Sequence, residues 1–243
     1  MNDPTPAAPA LRVRDLWAGY GRAPVLRGVS FDVPAASIVA VLGRNGAGRS
    51  TLAKAIMGLL PTQGQIVGAG QDLSGWRAYR RARAGLAYIP ETRGIFADLS
   101  VAENLALGRL AARHAEWATQ EAVLARFPLL RPRLTAQAGR LSGGEQQLLA
   151  LGRAMMAAPR VLIADAPTEG MAPRMVDAVA HCLSDLRRAG VAVLLIEQNL
   201  ALVEALADRM LLLQNGGIVL HAEAGNYAAV RETIRAALTP GGV

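Results

Sequence analysis

Ser37-Ile-Val-Ala-Val-Leu-Gly-Arg-Asn-Gly-Ala-Gly-Arg-Ser50 begins as an apolar run and then places glycine at 43, 46 and 48. Ser37 to Leu42 reads as a buried strand and Gly43 to Gly48 as a turn. Ser50 to Leu60 has helical spacing, stopped by Pro61. A glycine-rich turn between strand and helix lets successive backbone N–H groups curl around phosphate oxygens, and the helix N-terminus adds partial positive charge. Ser50 is placed to reach a magnesium ion travelling with such a phosphate. The strict form of the loop has lysine where this chain has Arg49. On these residues alone, a purely packing role for the turn stays open.

The alternation continues on both sides. Leu11 to Val33 is broken by Gly and Pro into what reads as a few short strands. Ile66–Val67 and Leu86–Ile89 look like further strands. Ser100-Val-Ala-Glu103 is a capping box opening a helix to about Leu110; a second helix is expected from Glu116 to Phe127, and a third after Ser142-Gly-Gly. Strand and helix then alternate again: strand Val161–Ala164, helix Ala172–Ala189, strand Val191–Ile196, helix Leu200–Ala207 and strand Met210–Leu213. Asn215-Gly216-Gly217 turns the chain into Ile218–Leu220. Apolar strands alternating with helices specify an α/β fold with a mostly parallel, buried sheet. The expected division is a domain over 11–235 with a helical insertion at about 92–152, and loose tails at 1–10 and 236–243.

Composition narrows the function classes. Hydrophobic residues make up 52% of the 243 and charged ones 19%, which excludes a disordered polar chain. One cysteine, Cys182, excludes a disulfide scaffold and a Cys-based zinc site. Apolar runs such as Val191–Ile196 are far too short to span a bilayer. The opening MNDPTPAAPA has neither the basic start nor the apolar core of an export signal. Lys54 is the sole lysine among 26 basic residues, so 25 are arginines, and the net charge is +7. That charge admits a polyanionic partner or an arginine-rich coding bias. No run of five basic residues occurs, and the densest patch is Arg77, Arg80, Arg81 and Arg83. His114, His181 and His221 are scattered without metal-ligand spacing, and Cys182 reads as a small buried hydrophobe within its helix.

Two further strings sharpen the reading. Leu141-Ser-Gly-Gly-Glu-Gln-Gln147 puts two glycines after a serine at a helix start, a second anion-binding terminus. Val161-Leu-Ile-Ala-Asp165 ends an apolar strand in a carboxylate suited to a magnesium shell. In this order and spacing, the three elements resemble the ATP-binding subunits of ABC transporters. Ala18-Gly-Tyr-Gly21, Tyr88-Ile-Pro-Glu91, LSGGEQQLLALGRAM (141–155), Gly170-Met-Ala-Pro173 and Ile196-Glu-Gln-Asn199 are similar to the branch that imports branched-chain amino acids and amides. The resemblance covers about residues 11–220. It implies a P-loop NTPase core, a small antiparallel β subdomain and an inserted helical subdomain, with ATP and Mg2+ as ligands. It further implies a peripheral place on the cytoplasmic membrane face, permease subunits as partners, a solute-binding protein as an indirect one, and dimerisation with a sister ATPase.

Residue by residue, the resemblance implies that Tyr20 stacks on adenine. Gly43, Arg44, Asn45, Gly46, Ala47, Gly48, Arg49, Ser50 and Thr51 hold the phosphates. Ser142, Gly143, Gly144 and Glu145 clasp a nucleotide bound to the partner. Ser50, Asp165 and Glu91 surround the metal, and Glu91 and Gln198 occupy the Q-loop and switch positions. Two residues depart from the family. Arg49 replaces the phosphate-binding lysine, a planar fork for a point charge. Lys54, five residues further on and about 140° round the helix, is a poor substitute. Ala166 stands where the family has the catalytic glutamate, a loss worth roughly 10²- to 10⁴-fold in rate. Glu169 is a weak stand-in, because it falls in the loop facing the partner. The expectation is an impaired site of its own beside an intact signature, favouring a heterodimer over a homodimer. The rival is a non-hydrolytic, ATP-binding regulatory subunit. A DNA-associated role rests on charge alone and lacks the long coiled-coil insertion or basic tract it requires, so nucleic acid is not expected among the partners.

Overall fold

A computed structural model describes residues 8–21, 23–111 and 117–239. The chain opens with β1 (Leu11–Tyr20) and β2 (Ala23–Val33), an antiparallel pair. These are two long strands in place of the several short ones expected. The punctuating residues bend the pair without ending it: Asp15 at φ 46° sits where the register slips between Val13 and Leu16, and Gly28 at φ 66° where it slips again between Leu16 and Ala18. Then come β3 (Ile38–Leu42), α1 (Arg49–Met57), β4 (Thr62–Gly68), β5 (Gln71–Asp72), α2 (Ala78–Ala84) and β6 (Leu86–Ile89). Helix α1 stops three residues earlier than Pro61 suggests, because Gly58 adopts φ 77° and closes the C-terminus through its own N–H.

The helical insertion holds α3 (Val101–Gly108), α4 (Gln120–Arg126) and α5 (Gly143–Met156), linked by short 3-10 turns. Thr119 caps α4 through Ala122 N–H, so the helix begins later than the expected Glu116; Glu116 itself and His114 lie outside the described residues. The remainder is β7 (Val161–Asp165), α6 (Pro173–Arg188), β8 (Ala192–Glu197), α7 (Leu200–Leu206), β9 (Arg209–Gln214), β10 (Gly217–Glu223) and α8 (Tyr227–Leu238). Helix α8 carries residues 236–238, which were expected in the tail.

The strands form two sheets. The central six-stranded sheet has the order β10-β9-β3-β8-β7-β6 and is parallel except for the hairpin strand β10. The smaller sheet, β2-β1-β4-β5, is antiparallel. β3, β7 and β8 are buried along their full lengths, as a parallel sheet covered on both faces requires. One core, including Leu52, Ile56, Leu16 and Leu26, fills the space between the two sheets around α1. The other lies between the opposite face, α5, α6, α7 and the insertion. The site-bearing ends of β3, β7 and β8 lie side by side, and their carboxyl ends are where ligands bind in open α/β sheets.

The basic patch of residues 77–83 resolves into helix α2, with one arginine turned inward. Arg81 is only 1% exposed. Its guanidinium donates to Ala55 O (3.1 Å), Ile56 O (2.7 Å) and Trp76 O (2.9 Å), which satisfies the last carbonyls of α1. Cys182 is buried on α6 beside Met155, with its Sγ 3.7 Å from Met155 Sδ.

Candidate nucleotide-binding site

Gly43–Gly48 leaves the end of β3 and closes on α1. Gly46 has φ 83° and Gly48, the N-cap, φ 109°, conformations that L side chains avoid. A Cβ on Gly48 would also stand 2.9 Å from Leu26 Cδ2. Ala47 N–H closes a tight turn on Arg44 O at 3.0 Å, and Gly216 of the β9–β10 hairpin donates to Ala47 O at 3.2 Å. The loop is thereby fixed from both sides while Arg44, Asn45 and Gly46 stay exposed. Thr51 is buried against the core and Ser50 is half-buried.

The adjoining ends of β6, β7 and β8 bring the other residues in. Asp165 ends β7 with 2% exposure, and burial raises its carboxyl above the usual range. Ser50 and Tyr88 oppose that shift: the Ser50 hydroxyl lies against the carboxylate, and Tyr88 Oη donates to Oδ2 at 3.4 Å. Burial, followed by the charge of Asp165, raises the Tyr88 phenol. Glu91, exposed beyond Pro90, adds its negative field to Asp165 and to Arg49. Ser50, Asp165 and Glu91 are a set of hard oxygen donors, the chemistry that suits Mg2+.

Arg49 reaches from the first residue of α1 towards the end of β8. Its Nη2 donates to Asn45 Oδ1 at 2.9 Å. The Gln198 side-chain amide lies 2.8 Å from the same Oδ1 and 3.2 Å from Arg49 Nη1. Burial lowers the Arg49 pKa, while Asp165, Glu169, Glu197 and Glu91 act to raise it. Just before Gln198, Glu197 is 3% exposed and fully used: it accepts from Thr168 N (3.1 Å), Thr168 Oγ1 (2.6 Å), Gln198 N (2.9 Å) and Asn199 N (3.3 Å). Ala166 has φ 48° and donates to Ile196 O at 2.8 Å. It borders a cavity of about 210 Å³ with Thr168, Glu169, Glu197, Gln198 and Asn199.

Tyr20 ends β1 half-exposed, with Lys54 Nζ 5.9 Å from its ring centroid. Trp17 lines the same shallow hollow and is tied to Asp15 Oδ1 through Nε1 at 3.0 Å. The Ser142–Glu145 string is set apart: among the described residues, no hydrogen bond or ion pair joins it to residues 43–51. Ser142 caps α5 in a full capping box with Glu145, whose carboxyl this contact holds below its usual range. Arg93, at φ 67°, lies over Gly143 and donates to Gln146 Oε1 at 3.1 Å. Met175 covers Gly144 so closely that a Cβ there would fall 2.2 Å from its sulfur.

Sequence reasoning gave no role to Tyr88, Thr168, Glu197 or Arg93. Tyr88 and Glu197 stood in quoted strings, Tyr88-Ile-Pro-Glu91 and Ile196-Glu-Gln-Asn199, but their partners come from other strands. His181 and His221 are exposed, and among the described residues no group of three or more His, Cys, Asp or Glu could hold a metal.

A parallel sheet with a glycine-rich loop ahead of α1, an aspartate closing a neighbouring strand and a separate serine-capped glycine pair defines a P-loop nucleotide-binding protein with an inserted helical subdomain. The chain belongs to the ABC transporter family, whose model matches residues 26–169. It is 41% identical to the high-affinity branched-chain amino acid transport ATP-binding protein BraG of Pseudomonas aeruginosa, over 83% of this chain and 88% of that one. It is 35% identical to the probable branched-chain amino acid transport ATP-binding protein LivF of Archaeoglobus fulgidus, over 88% and 92%. The ATP-binding subunit of an ABC transporter superposes with a TM-score of 0.81 at 30% identity, covering 92% of this chain and 93% of that one. A nucleotide-free ATP-binding cassette superposes at 0.75 and 25%, covering 88% and 91%. The chain is thus an ABC-type ATP-binding subunit.

Proposed function

We propose that this subunit powers uptake of branched-chain amino acids or related solutes, and that its own hydrolytic site is impaired. The observation that carries the impairment is Ala166: the residue after the strand-ending Asp165 offers no carboxylate, and of the two carboxylates that border the cavity beside it, Glu169 lies exposed three residues further on. Glu197 is spent on four hydrogen bonds. The substrate class rests on the likeness to BraG and LivF. ATP lies along Gly43–Thr51 with its base on Tyr20. Bound Mg2+, held by Ser50, Asp165 and Glu91, would offset phosphate charge. Residues 142–145 complete the site of a sister ATPase, which performs most of the turnover.

The chain works on the membrane through permease subunits. Among the described residues no helix is long and apolar enough to cross a bilayer. An apolar groove of about 480 Å³ between α2, β6 and the insertion, lined by Leu59, Ala82, Phe96, Leu107 and Ala154, is where a permease segment docks. Purified chain is assayed for ATP hydrolysis alone and with its sister subunit. We expect turnover at or near background alone and full turnover in the mixture. A fully active isolated chain refutes the impaired-site reading. Binding without turnover even in the mixture favours the regulatory one.

A further inference from the structure

We propose that the outer face of helix α2, with Arg77 at its start and Tyr79, Arg80 and Arg83 along it, docks on the anionic lipid headgroups of the bilayer that carries the permease. This rests on the reading of the neighbouring apolar groove as the seat of a permease segment.

This face is basic without local compensation. Residues 73–90 contain no carboxylate. The acid just before them, Asp72, is taken up by Ser74 N–H at 2.9 Å and Gln65 Nε2 at 3.2 Å. Arg81 turns inward, and Arg77, Arg80 and Arg83 are exposed. Among the described residues none of these three forms an ion pair, whereas Arg131, Arg188 and Arg235, exposed elsewhere, are paired with Glu121, Asp185 and Glu232. Like charges crowded in this way repel one another and leave their field open to an anionic surface. Placement then selects the surface. Ala78 and Ala82 of the same helix line the apolar groove of about 480 Å³, and the exposed Leu59 and Leu110 stand on it as well. With a permease segment in that groove, α2 lies at the edge of the contact, where the headgroups of the surrounding leaflet come within reach. Tyr79 is exposed beside the arginines, with Arg83 Cζ 6.0 Å from its ring centroid. A phenol ring and the apolar stems of arginine suit the boundary between headgroups and acyl chains, which a purely ionic partner does not offer. The guanidinium fork matches lipid phosphate at two points.

The test is flotation of the full chain with vesicles free of permease, made of phosphatidylcholine alone or of phosphatidylcholine mixed with phosphatidylglycerol. The variants are Arg80→Gln, the triple change Arg77→Gln, Arg80→Gln and Arg83→Gln, and a control that removes the same charge, Arg131→Gln, Arg188→Gln and Arg235→Gln. Circular dichroism and thermal melting confirm that each is folded. A basic residue at an anionic leaflet is worth about fivefold in binding, so wild type is expected to prefer the anionic vesicles by on the order of a hundredfold. That preference fades as salt rises. Arg80→Gln loses about fivefold, the triple variant loses most of the preference, and the control stays near wild type. Wild type without a preference, or equal losses in the triple variant and the control, overturns the inference and leaves the groove reading standing. Equal affinity for a short DNA duplex at the same salt marks a general polyanion surface and also overturns it. Assembly with the permease subunits in a neutral detergent, without lipid, is expected to be the same for wild type and the triple variant. A loss there gives the arginines to the permease and overturns the lipid assignment. Wild type that fails to assemble there overturns the groove reading, while the vesicles still decide whether α2 binds lipid.

Discussion

Ala166 sits at φ 48°, a backbone setting that costs an alanine and a glutamate alike, so a carboxylate can be restored there without new strain. Ala166→Glu combined with Arg49→Lys is expected to raise turnover of the isolated chain by roughly 10²-fold or more, read by phosphate release. Unchanged turnover would place the defect elsewhere. Cys182 gives a pH-dependent prediction. Burial pushes its thiol up to about 12, against an ordinary value of 9.0. The folded state therefore keeps a proton that the unfolded chain releases above pH 9. The stability tied to this group is complete below 9 and falls by about 1.4 kcal/mol per pH unit above it, until the folded value is reached. Urea midpoints of wild type and Cys182→Ala should converge or cross as pH rises from 8 to 11, and native chain at pH 8 should resist alkylation until unfolded. At this scale the sequence was legible wherever chemistry sits in a contiguous string: the glycine loop, Ser142–Glu145, Asp165 and the odd residues Arg49 and Ala166. Tyr88 and Glu197 were not legible, because their partners Asp165 and Thr168 lie 77 and 29 residues away and meet them only through strand pairing.

Helix α2 went unread, although its arginines were seen. Four arginines in seven positions resemble a solvated face, and nothing local tells that Arg81 turns inward. The cause is distant: α1 ends under α2 with carbonyls to satisfy. Arg81→Ala is expected to cost about 3 kcal/mol in urea denaturation, because it strands Ile56 O at the C-terminus of α1 and opens a void. Arg80→Ala, on the exposed face of the same helix, should cost under about 0.5 kcal/mol. Similar losses for both would refute the capping role. Helices α3 and α5 make a comparable long-range fit. A Cβ on Gly108 would stand 2.3 Å from Arg153 O, so this glycine permits the close crossing. Strand existence was well marked by apolar runs, whereas the lengths of β1 and β2 and the presence of α8 were set by pairing and packing that no short window contains.

For the whole molecule, the two working surfaces lie on different parts of the chain: the loop and strand ends on the sheet, and the serine-capped α5 on the insertion. In the mixed dimer proposed above, they would serve different nucleotides. A substitution at Ser142, such as Ser142→Arg, should therefore abolish most turnover of the mixture, while Ser50→Ala in the same chain should cost several-fold less. Steady-state ATPase of reconstituted mixtures checks this, and the reverse ranking would mean that this chain's own loop carries the catalysis. The fold class was recoverable from the alternation of strands and helices, and the positions of the glycine-rich loop and of the serine-capped start of α5 from their glycine strings. The position of Lys54 has a further, practical consequence. As the chain's sole ε-amine, lodged beside the Tyr20 ring, it gives acylating reagents one internal target. A fluorophore coupled there would report on occupancy of the adjoining hollow from a single, chemically defined address.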